Sequence, residues 1–325
     1  LLSSSDAIAA GHAVRGTTSP NPPVGCALYD DAGRLITTGG TEPAGGAHAE
    51  IVALRAAGDQ ARGATAVVTL EPCNHTGRTG PCSHALAEAG VARVVYLTAD
   101  PNPLAVGGAQ YLREQGVEVE FRPTEVADLQ PWLTALELER PHVTVKYAAS
   151  LDGFTAAPDG TSQWITGATA REAVHVDRTK RDAIIIGTGT ALADNPSLTA
   201  RKLDGSLYGN QPRRVVVGTR EVPEGNLTQL GYEQYSTLDE ALRALYDTGA
   251  RDVLVEGGAG LLTSVLEADL ADRIQAYLAP MLMGGGNGVV MRPLAETLAS
   301  MPRFALENVQ QLGEDLLINL KRKQN

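Results

Sequence analysis

The sequence predicts an α/β protein in two parts, and three observations carry that prediction. The chain has 325 residues, more than one hydrophobic core comfortably fills. Short apolar strands alternate with helical segments on both sides of Pro141. The 35 glycines and 18 prolines supply the tight turns that such alternation needs. The expected division is residues 1–140 and 141–325. Aromatic residues make up only 4% of the chain, so both cores must be built mainly from Val, Leu, Ile and Ala.

In the first part, PVGCALYD from Pro23 reads as a strand, followed by a glycine-rich turn region to Gly46. HAEIVALRAAG places Ile51, Leu54 and Ala57 at helical spacing, with Gly58 positioned to stop the helix. ATAVVTL is a second strand, CSHALAEAG a helix ending at Gly90, and ARVVYLTAD a third strand. DLQPWLTALELERP closes this part as a helix with Trp132 in the core, and Pro141 marks a break. Beyond it, HVTVKYAAS, AIIIG, RRVVVG, DVLVEGG, RIQAYLAP and EDLLINL read as strands of a larger sheet. GATAREAVHVDRTKR, LDEALRALYD and AGLLTSVLEADL lie between them as helices, and Asp204 to Gln211 reads as a surface loop.

Composition narrows the function classes. The formal net charge of −11 argues against a nucleic-acid partner, because binding a phosphate backbone needs clustered Lys and Arg. Three cysteines, an odd number, make a poor disulfide framework and fit a reducing compartment. LLSSSDAIAAGHAVRG lacks a basic leader with a long apolar core, and no apolar run reaches about 18 residues. The expectation is therefore a cytoplasmic protein with no membrane partner.

The strongest chemical signal is His48, Cys73 and Cys82. His48-Ala49-Glu50 opens a helix, Pro72-Cys73 follows a strand, and Pro81-Cys82 opens a second helix. One imidazole and two thiolates leave zinc an open fourth position, the arrangement of a catalytic site rather than a structural one. Helix N-termini favour thiolates, and Glu50, two residues from the histidine, is free to move protons. A structural site would need a fourth protein ligand, for which His75 is the nearby candidate. Cys26 lies inside its strand and reads as a small hydrophobe, while His12 and His84 read as ordinary surface or packing histidines.

These residues resemble the cytidine deaminase fold, with its H-x-E and P-C signature, which implies a three-layer zinc domain. The two cysteines are separated by NHTGRTGP rather than the two residues usual in nucleic-acid-editing deaminases. That spacer resembles the bacterial riboflavin-biosynthesis deaminase-reductases. By position the resemblance implies that His75 and Arg78 help recognise a pyrimidine substrate; a guanidinium suits a phosphate or a carbonyl-rich ring. It extends to TTSPNPPVGCAL, which makes Asn21 a substrate contact, and to DPNP, which adds Asp100 and Asn102. A side-chain amide both donates and accepts along a pyrimidine edge.

The second part lacks G-x-G-x-x-G, but DVLVEGGAGLLTSVL runs from a strand through glycines into a helix, a junction able to meet a phosphate. KYAASLDG, SQWIT, GTGTALADNPSLTAR and VEGGAGL follow in the order found in the reductase half of the same family, which is similar to dihydrofolate reductase in fold. The resemblance implies NADPH contacts at Ala148, Trp164, Thr190, Asp194 and Gly258, Ala259, Gly260, Leu261, Leu262, Thr263 and Ser264. It implies substrate contacts at Ser162, Arg178, Leu198, Arg201 and Glu256. Lys146, Asp194 and Glu256 are the candidates for proton delivery. Taken alone, Arg178 would be an exposed helix charge beside Asp177 and Lys180. The implied activity is zinc-dependent deamination of a ribosylaminopyrimidine phosphate followed by NADPH-dependent reduction, in a homodimer or homotetramer.

Overall fold

The computed structural model describes residues 2–75, 80–102 and 107–323. The chain divides into two compact units, Leu1–Glu137 and Leu138–Asn325. The first runs α1 (Ser5–Val14), β1 (Gly25–Tyr29), β2 (Leu35–Gly40), α2 (Ala49–Ala57), β3 (Thr65–Val68) and α3 (Cys82–Glu88). It continues with β4 (Arg93–Tyr96), α4 (Gly108–Glu114), β5 (Glu118–Phe121) and α5 (Gln130–Leu138). Its sheet has the order β2-β1-β3-β4-β5, antiparallel at the first two pairings and parallel at the last two.

Two glycines set the layers of this unit. A Cβ on Gly25 would lie 1.8 Å from the Ala7 carbonyl oxygen of α1, and one on Gly39 would lie 2.4 Å from the Ala49 oxygen of α2. Gly25 is paired with Gly40, while Gly39 is paired with Cys26, so consecutive positions turn to opposite faces. Helices therefore press on both sides of the sheet, which makes three layers. The core between them is aliphatic: Leu28, Ala53, Val67, Leu86, Val95 and Leu112 are buried together, with Trp132. Leu35 to Gly40, expected as part of a glycine-rich turn region, forms β2, because Gly39 admits α2 and Gly40 admits α1 to the sheet. Gly39→Val is expected to push α2 off the sheet, costing ~1–3 kcal/mol of stability and lowering zinc stoichiometry, measurable by urea unfolding and metal analysis.

The second unit runs β6 (His142–Ser150), β7 (Phe154–Ala156), α6 (Ala168–Arg178), β8 (Ala183–Gly187), α7 (Thr188–Asp194), β9 (Arg213–Val217) and α8 (Asn226–Leu230). It continues with β10 (Glu233–Tyr235), α9 (Leu238–Asp247), β11 (Asp252–Glu256), α10 (Ala259–Glu267), β12 (Arg273–Ala279), β13 (Asn287–Gly288), β14 (Phe304–Leu312) and β15 (Asp315–Arg322). The main sheet has the order β10-β9-β8-β11-β6-β12-β15-β14, parallel as far as β12 and antiparallel beyond it. One face packs Val143, Val145, Val253 and Val255 against Leu242 and Leu245 of α9 and Leu262 and Val265 of α10. The other packs Ile184, Ile186 and Leu254 against Ala191 of α7 and Leu227 of α8, with Tyr277 and Leu317 against Ala170 of α6.

That second face is also polar. Register places Glu256, Lys146, Gln275, Asn319 and Asn308 side by side on β11, β6, β12, β15 and β14. Asn319 donates to Asn308 Oδ1 at 2.8 Å, and Gln275 reaches Asp177 of α6 at 3.3 Å. Glu256, Gln275 and Asn319 are buried. No helix among the described residues is long and apolar enough to cross a membrane.

Candidate functional site

In the first unit, local structure delivers the metal-ligating types to one point. His48 caps α2, Cys73 lies in the segment after the central strand β3, and Cys82 is the first residue of α3. His48 Nδ1 lies 3.6 Å from Cys73 Sγ and 3.4 Å from Cys82 Sγ. The three ligand atoms all lie within 4.8 Å of one another, and no fourth ligand joins them among the described residues. The Cys82 amide donates to Cys73 Sγ at 3.5 Å, so the start of α3 supports a thiolate there. Hydrogen bonds from Cys82 and then His48 hold the Cys73 thiol well below its usual range, while the same Cys73 contact and burial push Cys82 up. One imidazole and two sulfurs, one of them readily ionised, suit zinc with an open position.

Glu50, two residues into α2, is only 4% exposed. Burial, followed by the charge of Cys73, raises its carboxyl to about 7. A carboxyl so placed exchanges protons at neutral pH. Asp100 is buried at the end of the β4 segment and accepts from the Asn102 amide at 2.9 Å. Its carboxyl is raised first by burial, against the Asn102 amide that lowers it, and further by the charges of Glu71 and the metal-ligating Cys73. His75 itself is exposed, and Arg78 lies outside the described residues.

Asn21 sits in a turn closed twice by buried Thr18: the Asn21 amide donates to Thr18 O at 3.0 Å and the Thr18 hydroxyl to Asn21 O at 2.9 Å. Trp132 of α5 is core, and its indole also donates to Pro20 O at 3.1 Å, which fixes the same turn. His12 bonds Asp128 at 2.9 Å and His84 stacks on Tyr111 at 3.9 Å; neither is among the metal ligands.

In the second unit, Arg178 is largely enclosed rather than exposed, with 12% of its side chain accessible. Its Nε and Nη2 each donate at 2.8 Å to the two oxygens of Glu256, and Lys146 Nζ lies 3.6 Å from Glu256 Oε2. Burial disfavours the charges of Glu256 and Arg178, but the attraction of their partners wins: Glu256 is held at about 2 and Arg178 is raised. Arg178 Nη1 also donates to Thr199 O at 2.9 Å, and Arg201 reaches the Thr199 hydroxyl at 3.4 Å. Lys146, Arg178, Arg201 and Glu256 thus form one connected group with a net positive charge. Lys146 also stands 5.7 Å from the centre of the Tyr277 ring, a neighbour that sequence reasoning missed.

Thr190 and the Gly258–Ser264 segment follow the carboxyl ends of β8 and β11. The Gly258 amide donates to Thr190 Oγ1 at 3.0 Å, joining the start of α10 to α7. Ala259 and Gly260 are partly open and Ser264 is exposed, whereas Leu262 and Thr263 turn into the core. Leu261 packs between these strands, close to Gly187 and Gly257. Asp194 is exposed at the end of α7, Ser162 and Ala148 are half-buried, and Leu198 has its side chain in the core. Trp164 is 63% exposed with the Arg171 guanidinium 4.5 Å from its ring centre, an open aromatic face rather than a core residue. Carboxyl ends of parallel strands are where open α/β sheets receive ligands.

A deaminase-type zinc site in one unit and a basic, carboxylate-linked cluster in the same unit as a glycine-rich strand-to-helix junction in the other define a two-activity enzyme, a deaminase joined to a reductase. Residues 5–98 match the cytidine and deoxycytidylate deaminase zinc-binding region, and residues 141–318 match the RibD C-terminal domain. The chain belongs to the RibD family, the bifunctional deaminase-reductases of riboflavin biosynthesis. It is 58% identical to the riboflavin biosynthesis protein RibD of Corynebacterium ammoniagenes over 311 residues, 92% of each chain. The solved RibD of Acinetobacter baumannii shares 38% identity at a TM-score of 0.88, covering 98% of both chains. A diaminohydroxyphosphoribosylaminopyrimidine deaminase/5-amino-6-(5-phosphoribosylamino)uracil reductase from Thermotoga maritima shares 32% identity at a TM-score of 0.87, over 98% of this chain and 97% of that one. The reductase half implies a nicotinamide cofactor.

Proposed function

We propose that residues 1–140 hydrolyse the amine from 2,5-diamino-6-ribosylamino-4(3H)-pyrimidinone 5′-phosphate, and that residues 141–325 reduce the ribosyl group of the product to ribityl with NADPH. The observation that carries this reading is the pairing, in one chain, of the His48–Cys73–Cys82 cluster with the Lys146–Glu256–Arg178 group. Zinc held by the three ligands would supply the Lewis acidity that makes water nucleophilic at neutral pH. Glu50 takes a proton from that water and returns it to the departing amine, so that water and the aminopyrimidine become the carbonyl compound and ammonia. His75, Arg78, Asn21, Asp100 and Asn102 hold the pyrimidine.

In the reductase half, Arg178 and Arg201 hold the substrate phosphate, with Ser162, Leu198 and Glu256 completing its site. NADPH would supply hydride to C1′ of the opened sugar. Its contacts are Ala148, Trp164, Thr190, Asp194 and residues 258–264. A proton must reach the departing ring oxygen, and Lys146, already in contact with Glu256, is best placed among Lys146, Asp194 and Glu256 to give it. Three unpaired thiols support a reducing, cytoplasmic setting. The active form is a homodimer or homotetramer, as the family resemblance implies.

The test is NADPH oxidation by the purified protein given the diaminopyrimidine substrate, with NADH in parallel. Ammonia release followed by NADPH consumption in equal amounts is the expected result. Ammonia without oxidation of either nucleotide would remove the reductase assignment, and equal rates with both nucleotides would remove the preference for NADPH.

A further inference from the structure

The basic group around Thr199 has one more member. His175 lies on α6 three residues before Arg178, one helical turn away, and on the same face. Its Nδ1 is 3.1 Å from Thr199 O, the oxygen that also accepts from Arg178 Nη1 at 2.9 Å, while Arg201 approaches the hydroxyl of the same residue at 3.4 Å. Thr199 is only 4% exposed. Three basic side chains from two chain segments therefore converge on one buried threonine. A carbonyl oxygen only accepts, so Nδ1 of His175 carries a proton, and Nε2 is the position at which a second would add.

The charges acting on this ring are Arg178 from its own helix, Arg201 from the segment after α7, and Glu256 from the end of β11. Arg171, one turn earlier on α6, is turned to Thr166 O and the Trp164 ring. Glu256 is engaged by Arg178 at both oxygens and approached by Lys146, so little of its charge is left for His175. Burial and the two guanidiniums hold the imidazole neutral, at about 4, in the free protein. An anion arriving between Arg178 and Arg201 cancels the repulsion that keeps the second proton away.

We propose that His175 is a further substrate-binding residue of the reductase half, gaining a proton at Nε2 from solvent as the substrate phosphate binds and thereby making binding proton-linked. This rests on the reading that Arg178 and Arg201 hold that phosphate. The balance is simple: phosphate dianion, neutral imidazole and one solvent proton give an imidazolium-phosphate pair. A phosphate monoester has its second pKa near 6, so about nine-tenths is dianion at pH 7. A site that merely selects the dianion therefore releases about a tenth of a proton, whereas a site that charges a histidine takes protons up.

The sign separates the two, and isothermal titration calorimetry reads it. Ribose 5-phosphate is titrated into the full chain at pH 7 in two buffers of different ionisation enthalpy. Wild type is expected to take up a large fraction of one proton per site. His175→Gln, which keeps an amide donor for Thr199 O, is expected to bind more weakly and to release a small fraction instead. With the unmodified protein, KM of the reductase step for its phosphorylated substrate is expected to rise by up to about tenfold per pH unit above pH ~6.5 at steady kcat. Binding by wild type without proton uptake, abolished by Arg201→Met, would overturn the inference and leave the phosphate reading standing. Absence of binding, or binding that Arg201→Met does not alter, would overturn both.

Discussion

Glu50→Gln is expected to lower ammonia release by about 10²–10⁴-fold while leaving the zinc content at one per chain. The substitution keeps the volume and one hydrogen-bonding oxygen of a side chain that is buried at the start of α2, so the helix and its His48 cap have no reason to move. What is lost is the ability to take a proton from water and hand it to the leaving amine. Metal analysis beside a coupled ammonia assay checks both halves of the expectation. Full turnover with zinc in place would remove Glu50 from the proton path. The downstream reaction offers a control, since a variant supplied directly with the deaminated substrate should oxidise NADPH at the wild-type rate.

Arg181→Met is expected to cost the second unit about 3–5 kcal/mol, a large part of the ~5–15 kcal/mol that holds a typical domain folded. The Arg181 side chain is fully buried. It donates to both oxygens of Asp177 at 2.9 Å, and its Nη1 serves Asp252 Oδ1 and Thr144 Oγ1 at the same distance. Methionine fills the space but leaves two carboxylates without their main cation, and a stranded buried charge costs more than a lost contact. Urea unfolding followed by circular dichroism measures the loss. Arg181→Lys should recover only part of it, because an ammonium cannot form the two-pronged pair with Asp177. A variant within about 1 kcal/mol of wild type would show that this network contributes little.

Much of the site was legible because its signals are local. His48, Glu50, Cys73 and Cys82 announce themselves by residue type and by the helix starts and strand end on which they fall, and the structure brings the three ligands together there. The strands of the two sheet centres are likewise short apolar runs that need no long-range information. What the residues taken alone do not show depends on partners far along the chain. Arg178 carries the local pattern of a solvated charge; its carboxylate partner stands 78 residues later. His175 gains its setting only when the 198–201 segment folds against α6. β14 faces solvent along most of its length, so FALENVQQL shows little alternation to betray a strand. α7, with seven residues, is too short for a helical period to stand out, and β2 hides behind its glycines.

The polar row that crosses β11, β6, β12, β15 and β14 also bears on how the chain finds its fold. The apolar face of the central strands carries residues of similar size and shape, Val143, Val145, Val253, Val255 and Ile274, so hydrophobic packing alone discriminates poorly between neighbouring alignments. A slip by one residue in any of these pairings would swing Lys146, Gln275 or Asn319 from the polar face into the aliphatic layer beneath α9 and α10. The misaligned forms are thus penalised, while the native one pairs Lys146 with Glu256 and Asn319 with Asn308. Because Glu256 and Lys146 begin the row, the register of β11 against β6 also fixes the carboxylate beside the ammonium.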